Sequence, residues 1–112
     1  MKNKITIVID ARNAKKTIIE LVSPLIRDSL VQEGTNTHSQ AVLPLIEKAL
    51  QKHGCGLSDV VGIKVLVDHG SFTGRRVGVV TGTMLGSLLH VLVNNASAEQ
   101  PIDIPYEEDK WK

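Results

Sequence analysis

The alternation of apolar and polar residues predicts three strands in the first third of the chain. Residues 5–9, ITIVI, are β-branched throughout, which favours a buried strand. Residues 17–23 form a second apolar run that Pro24 stops, and residues 25–32 form a mixed run that ends before Gly34. Because only short polar segments separate these runs, we predict an antiparallel three-stranded meander.

The remainder of the chain alternates between helical and strand patterns. Val42 and Ile46 belong to an apolar face at helical spacing, and residues 60–68 form a further apolar run. We expect a second helix over residues 72–89 and a short strand over residues 91–93. The order β-β-β-α-β-α-β places a helix between successive strands, and such crossovers pair the strands in parallel. The fold class is therefore α/β, with a mixed five-stranded sheet and helices on at least one face.

Glycine occupies every fourth position from residue 70 to residue 86. Four of these glycines fall inside the predicted second helix, where each costs about 1 kcal/mol relative to alanine. A helix face without side chains lets another backbone approach closely and gain dispersion contacts. That neighbour is either this chain's own sheet or first helix, or a helix of another chain. Of these alternatives, we favour the subunit interface.

Composition narrows the class of protein. The chain has 112 residues, which is enough for one hydrophobic core. Its net charge of +1 and its three aromatic residues argue against nucleic-acid binding through a charged or stacking surface. Cys55 is the single cysteine, so a disulfide within the chain is excluded and a reducing cytosol is favoured. We find no signal peptide pattern and no apolar run near the ~18 residues that span a membrane. We therefore expect a cytoplasmic protein without direct membrane binding.

Three stretches carry a resemblance to a known family: HSQAVLPLIEKAL, LSDVVGIKV and GSFTGRRVGV. Over roughly residues 3–97 the chain resembles the first lobe of TsaB, a subunit of the bacterial machine that makes threonylcarbamoyladenosine on tRNA. The matching positions are Asp10, His38, Ser39, Gly70, Ser71, Phe72, Thr73, Gly74, Arg76 and Gly78. The resemblance implies an actin-like, ribonuclease H-like lobe over residues 1–97, followed by a tail over residues 98–112.

The chain also departs from the family pattern. Ala11 and Arg12 replace a threonine-serine pair, and Asp68 and His69 stand where the family usually has glycine and proline. The turn after the first strand has no glycine, and GSFTGRR lacks the lysine and spacing of a phosphate-binding P-loop. The sequence therefore predicts no catalytic residues and no metal site. Four residues remain candidate nucleotide or phosphate contacts: Asp10, Ser71, Arg75 and Arg76.

The resemblance implies that the chain binds a partner subunit and does not itself catalyse a reaction. TsaB is a catalytically silent partner of TsaD, and its first-lobe helices form a bundle with those of TsaD or of a second TsaB copy. The expected partners are thus a TsaD-like subunit, TsaE and a second copy of the chain, with tRNA reached only through the complex. We expect that the chain binds no cofactor by itself and that ATP or ADP binds only at an interface shared with TsaD. The predicted interface comprises Val42, Ile46, Gly74, Val77, Gly78, Thr81, Gly82, Leu85 and Gly86. The alternative is a lone nucleotide-binding or hydrolase module of ribonuclease H-like fold.

Overall fold

The computed structural model describes residues 4–34 and 38–95, with residues 38–40 described in their backbone only. The predicted tail over residues 98–112 lies outside the described residues. Within them the predicted order of elements is confirmed. The strands are β1 (Ile5–Asp10), β2 (Lys16–Val22), β3 (Arg27–Glu33), β4 (Val60–Val65) and β5 (Leu92–Val93); the helices are α1 (His38–Lys52) and α2 (Phe72–Leu89), with a single 3-10 turn at Leu57–Asp59.

The five strands form one mixed sheet in the order β3-β2-β1-β4-β5. β1 pairs antiparallel with β2 and β2 with β3, as the short turns predicted. β4 pairs in parallel with β1 and β5 in parallel with β4, as the helical crossovers require. The predicted strand 60–68 is shorter than expected, because the backbone leaves the sheet after Val65 to enter the loop before α2.

Both helices pack on the same face of the sheet. α1 lies over β2 and β3, whereas α2 lies over β1, β4 and β5. Strand residues with alternating burial point towards the helices, and all belong to one aliphatic core cluster: Ile5, Ile7, Ile9, Ile19, Leu21, Ile63, Val65 and Val93. The two helices therefore share one core on one face of the sheet, and neither of them covers the opposite face.

Candidate functional site

Two loops meet where the parallel strands β1 and β4 end. The first follows Asp10 and the second, residues 66–71, leads into α2. The backbone N–H of Ser71 donates to the carbonyl oxygen of Arg12 at 2.6 Å, which joins the loops directly. Because ligands of open α/β sheets bind beyond the carboxyl ends of the strands, this edge is the first place to look for a site.

Gly70 allows the close approach of the two loops. Its φ is +98°, a conformation that favours glycine, and an added Cβ would collide with the carbonyl oxygen of Arg12 and lie 2.7 Å from its Cβ. The first glycine of the GSFTG motif is therefore needed for loop contact.

A three-residue ion-pair cluster lies at this edge. The Arg12 guanidinium donates from Nε to Asp10 Oδ1 at 2.9 Å, from one terminal nitrogen to Asp10 Oδ2 at 3.0 Å, and from the other to Asp68 Oδ1 at 2.9 Å. Partial burial acts to raise the pKa of Asp10, but the hydrogen bonds and charge of Arg12 outweigh it and the pKa is lowered. The one carboxylate placed like a catalytic aspartate is thus an ionised partner of Arg12.

The sequence offered one signal for this cluster that its interpretation missed. Arg12 and Asp68 both depart from the family pattern, and they contact each other across 56 positions of the chain. One of these unusual residues is basic and the other is acidic, and both lie in loops at the same edge of the sheet. Such a pair of changes indicates an ion pair between the two loops.

Arg75, a predicted nucleotide or phosphate contact, is directed into the protein. Arg75 is 1% exposed, and its guanidinium donates to the carbonyl oxygens of Val67 at 2.8 Å and Ser71 at 3.4 Å. It also lies 5.8 Å from the ring centre of Phe72. Its donors therefore fasten the loop before α2 to the first turn of that helix, rather than facing an incoming anion.

The other three candidates do not converge on one position. The Ser71 hydroxyl oxygen accepts a hydrogen bond from the Gly74 N–H at 3.1 Å and so caps the N-terminus of α2. Asp10 is held by Arg12, whereas Arg76 is exposed and lines a groove along the outer side of α2. A ligand contact of Asp10, Ser71 or Arg76 stays a prediction.

The glycine face of α2 packs on this chain's own sheet. A Cβ added at Gly82 would lie 2.6 Å from Val65 Cγ2, and one added at Gly78 would lie 3.2 Å from Val65 Cγ1; Ile9 comes within 3.6 Å of both. The sheet of the same chain therefore occupies the space over Gly78 and Gly82, where the sequence analysis favoured a second subunit. Seven of the nine predicted interface residues are buried within the chain: Val42, Ile46, Gly74, Gly78, Gly82, Leu85 and Gly86.

The opposite side of α2 is apolar and exposed. Val80 is 63% exposed, Met84 45% and Leu88 69%, and the three lie at helical spacing on one face. Beside Val80 is a groove of about 330 Å³ that is lined also by Val77 and Thr81, the two remaining residues of the predicted interface, with Thr73 and Arg76. We call this surface, formed by Thr73, Arg76, Val77, Val80, Thr81, Met84 and Leu88, the outer face of α2.

The described residues contain neither a metal-binding cluster nor a membrane-spanning helix. Among residues 4–34 and 38–95, no three His, Cys, Asp or Glu side chains lie close enough to hold a metal ion. In that same part of the chain, neither helix is both long and apolar enough to cross a membrane.

Solved structures with the same fold come from Pseudomonas aeruginosa. YeaZ superimposes with a TM-score of 0.74 and 23% sequence identity over 80% of this chain and 42% of its own. The structure of an uncharacterized protein with similarity to peptidase YEAZ, also from Pseudomonas aeruginosa, gives the same TM-score and identity over 80% of this chain and 41% of its own. No protein-family model and no curated protein matches the chain.

These likenesses confirm the predicted single lobe of actin-like, ribonuclease H-like fold. The chain spans about two fifths of the length of the structures that it matches. What the comparison establishes is therefore the fold of this part.

Proposed function

We propose that this chain acts as a TsaB-like, non-catalytic subunit of the tRNA threonylcarbamoyladenosine machinery. It binds a TsaD-like subunit through the outer face of α2, and a second copy of itself through the same face when that partner is absent. The observation that carries the proposal is the exposed apolar row Val80, Met84 and Leu88, on a helix whose other side is already filled by the sheet. The TsaB-like motifs and the YeaZ-like fold support a TsaD-like protein as the proposed partner.

A helix-to-helix contact suits this surface. Three large apolar side chains on one helix face are what helix bundles bury between subunits, and the groove at Val77 and Val80 can receive a partner side chain. Arg76 and Thr73 border the groove and supply the polar rim of such a contact. The proposed interface therefore lies on α2, on the side opposite to the glycines, and leaves out Val42 and Ile46 of α1, which the sequence prediction had included.

The chemistry at the loop edge supports a role without catalysis. Asp10 is neutralised by Arg12, the Ser71 oxygen caps α2, and Arg75 is directed into the protein. Each of these polar groups has a hydrogen-bond partner within the chain, which supports a structural role for them at this edge. In this proposal ATP or ADP binds only at an interface shared with TsaD, TsaE joins through the assembled complex, and tRNA is reached only through it.

The test is binding to the TsaD-like protein of the same genome. Val80→Asp places a charge in the centre of the outer face, and we expect the dissociation constant measured by calorimetry to rise at least tenfold. Leu25→Asp is the matched control, because Leu25 is 91% exposed at the turn between β2 and β3 and lies outside this face. The proposal fails if the wild-type chain does not bind, or if both variants bind as the wild type does.

A second measurement addresses the alternative of a lone nucleotide-binding module. Any ligand that binds only the native state raises the melting temperature. We expect no rise with ATP for the chain alone and a rise for the chain with its partner. A rise for the chain alone would favour the nucleotide-binding alternative.

A further inference from the structure

β3 is an outer strand of the sheet, and its outer edge is long enough to pair with a further strand. It comprises seven residues, whereas β5, at the other end of the sheet, comprises two. β2 pairs with one edge of β3, and no strand within residues 4–34 and 38–95 pairs with the other. Such an edge offers a row of backbone N–H and C=O groups to an added strand.

The hydrogen bonds to β2 show which residues of β3 face the outer edge. The N–H of Ser23 donates to the carbonyl oxygen of Ile26, and the N–H of Gly34 donates to that of Lys15, both at 2.8 Å. Both pairs continue the antiparallel register of β2 and β3, in which hydrogen-bonded pairs alternate along the strand. The even-numbered residues of β3 therefore bond to β2. The backbone groups of the odd-numbered residues point outwards, and these are Arg27, Ser29, Val31 and Glu33.

The outward residues complement themselves in one antiparallel register. If a second copy of β3 lies alongside with its Glu33 facing Arg27, its Val31 faces Ser29 and its Leu30 faces Leu30 across a two-fold axis. All four outward residues of each strand then form hydrogen-bonded pairs, with about eight backbone hydrogen bonds in total. A shift by two residues in either direction leaves one outward residue of each strand beyond the end of the other. A shift by one residue sets outward groups against inward ones.

The charges at the two ends of β3 favour the same register. Arg27 and Glu33 are both exposed and lie on the sheet face opposite to the helices, since the intervening Leu30 belongs to the helix side. In the antiparallel register each meets the opposite charge, whereas a parallel arrangement would set like charges side by side. Glu33 also lies directly across from Lys16 of β2, so its carboxylate would lie between two cations. Charges on an edge strand oppose indiscriminate pairing, and this order of charges selects a second copy of the same strand.

Leu30 lies at the centre of this arrangement. It is opposite Ile19 of β2 and packs, partly buried, against the aliphatic core. The two-fold axis would bring the two Leu30 side chains together with their Cβ atoms about 5 Å apart. The apolar layer between sheet and helices would then continue from one protomer into the other.

One local hydrogen bond has to be exchanged for the pairing. The Ser29 N–H donates to Asp28 Oδ1 at 2.9 Å, and it would donate instead to a carbonyl oxygen of the second copy. Asp28 keeps its ion pair with Lys52 through Oδ2 at 2.8 Å. The Glu33 carbonyl oxygen accepts from the Gln32 side chain at 3.3 Å and has a second lone pair for the new bond. The exchange therefore leaves no polar group of this edge without a partner.

We propose that two copies of this chain pair through β3, in the antiparallel register that sets Arg27 of each against Glu33 of the other. One sheet then runs through both protomers. α2 packs over β1, β4 and β5, away from this edge, so the pairing leaves the outer face of α2 uncovered. The contact does not rest on the proposed function, and a dimer of this kind presents the outer face of α2 twice.

Sedimentation velocity of the full chain carrying Val80→Asp tests the proposal, because this change removes self-association through the outer face of α2. We expect a dimer at micromolar concentration. Adding Val31→Pro removes an outward N–H at an edge position, where proline is compatible with the fold, and we expect a monomer. Adding Val31→Thr is the matched control, since threonine keeps the N–H and the β-branched shape, and we expect the dimer to remain.

A charge exchange tests the register. Arg27→Glu, in the same Val80→Asp chain, sets like charges together at both ends of the paired strands and should raise the dimer dissociation constant about tenfold. Arg27→Glu combined with Glu33→Arg restores opposite charges at both ends. We expect this double change to return the constant to within about threefold of its starting value.

A monomeric Val80→Asp chain overturns the proposal. A dimer that persists with a folded Val31→Pro variant, as judged by circular dichroism, also overturns it. If Val31→Pro does not fold, the charge variants decide, and a loss with Arg27→Glu that Glu33→Arg does not reverse contradicts the register. Failure of the proposed function is a separate result, because it appears as a wild-type chain that does not bind the TsaD-like protein while the Val80→Asp chain is still a dimer.

Discussion

The two helices reach the same core by different means. α1 is fixed by its side chains, since Val42, Ile46 and Ala49 project from it into the core over β2 and β3. α2 is fixed in part by the absence of side chains, since Gly78 and Gly82 bring its backbone against Val65 and Ile9. The comparison shows that burial of a helix face does not require large residues on that face, because the sheet can supply them from the other side.

The difference has a consequence for association. A helix that packs on the sheet through its glycines carries its larger apolar residues on the opposite side, and on α2 these are Val80, Met84 and Leu88. On α1 the largest apolar residues point inwards, and Leu43, 44% exposed, is an exception. α2 is therefore the helix suited to bind another subunit.

The largest effect is expected from shortening a core side chain of α1. Ile46 is 2% exposed, and Ile46→Ala leaves a cavity that should lower the free energy of unfolding by about 3 kcal/mol. Urea denaturation measures the change, and Leu43→Ala on the exposed side of the same helix is the control. Equal losses in the two variants would contradict the idea that α1 is held by its inward side chains.

Filling the bare face of α2 should have the next largest effect. Gly82→Leu gains about 1 kcal/mol of helix propensity but forces atoms against Val65, so we expect a net loss of about 2 kcal/mol in the free energy of unfolding. Ser87→Leu, at an exposed position of α2, should be neutral or slightly stabilising. If Gly82→Leu is as stable as Ser87→Leu, the glycines do not set the distance between α2 and the sheet.

Two neighbouring arginines allow a matched test of how α2 begins. Arg75→Leu leaves the Val67 carbonyl without its charged donor, which should cost about 1–2 kcal/mol in thermal or urea unfolding. Arg76→Leu removes an exposed charge and should change the stability by less than about 0.5 kcal/mol. Reversed sizes of these two losses would show that the buried guanidinium is not what fastens the loop.

The smallest effect concerns the attachment of α1 to the edge strand. Lys52 and His53 hold Asp28 Oδ2 at 2.8 and 2.9 Å, and these hydrogen bonds lower the pKa of Asp28 from 3.8 to about 2. A carboxylate with a lowered pKa in the folded state adds stability above pH ~4, and this contribution is lost as the pH falls towards 2. Asp28→Asn should therefore flatten the decline in melting temperature between pH 4 and pH 2. An unchanged decline would show that this cluster adds nothing to the attachment.

The loop edge was only partly predictable from the sequence. Asp10 and Ser71 directly border the predicted strand 5–9 and the predicted helix 72–89, and these ends follow from local patterns. The contact between the two loops was not predicted, since Arg12 meets Asp68 across 56 positions and no local spacing reports it. The inward direction of Arg75 was also missed, because a charged residue beside a motif loop usually faces solvent, whereas this guanidinium contacts the carbonyls of Val67 and Ser71 and the ring of Phe72.

The sequence by itself determined the order of strands and helices and the apolar positions of β1, β2 and α1, because the periods of 2 and 3.6 residues are properties of neighbouring positions. It also determined that α2 carries a bare face. Only the tertiary structure decided what meets that face, since a pattern of small residues requires close approach but does not say whether a sheet or a second subunit makes it. The parallel pairing of β1 with β4 brings Ile9 and Val65 beneath Gly78 and Gly82, and this arrangement leaves the outer face of α2 exposed.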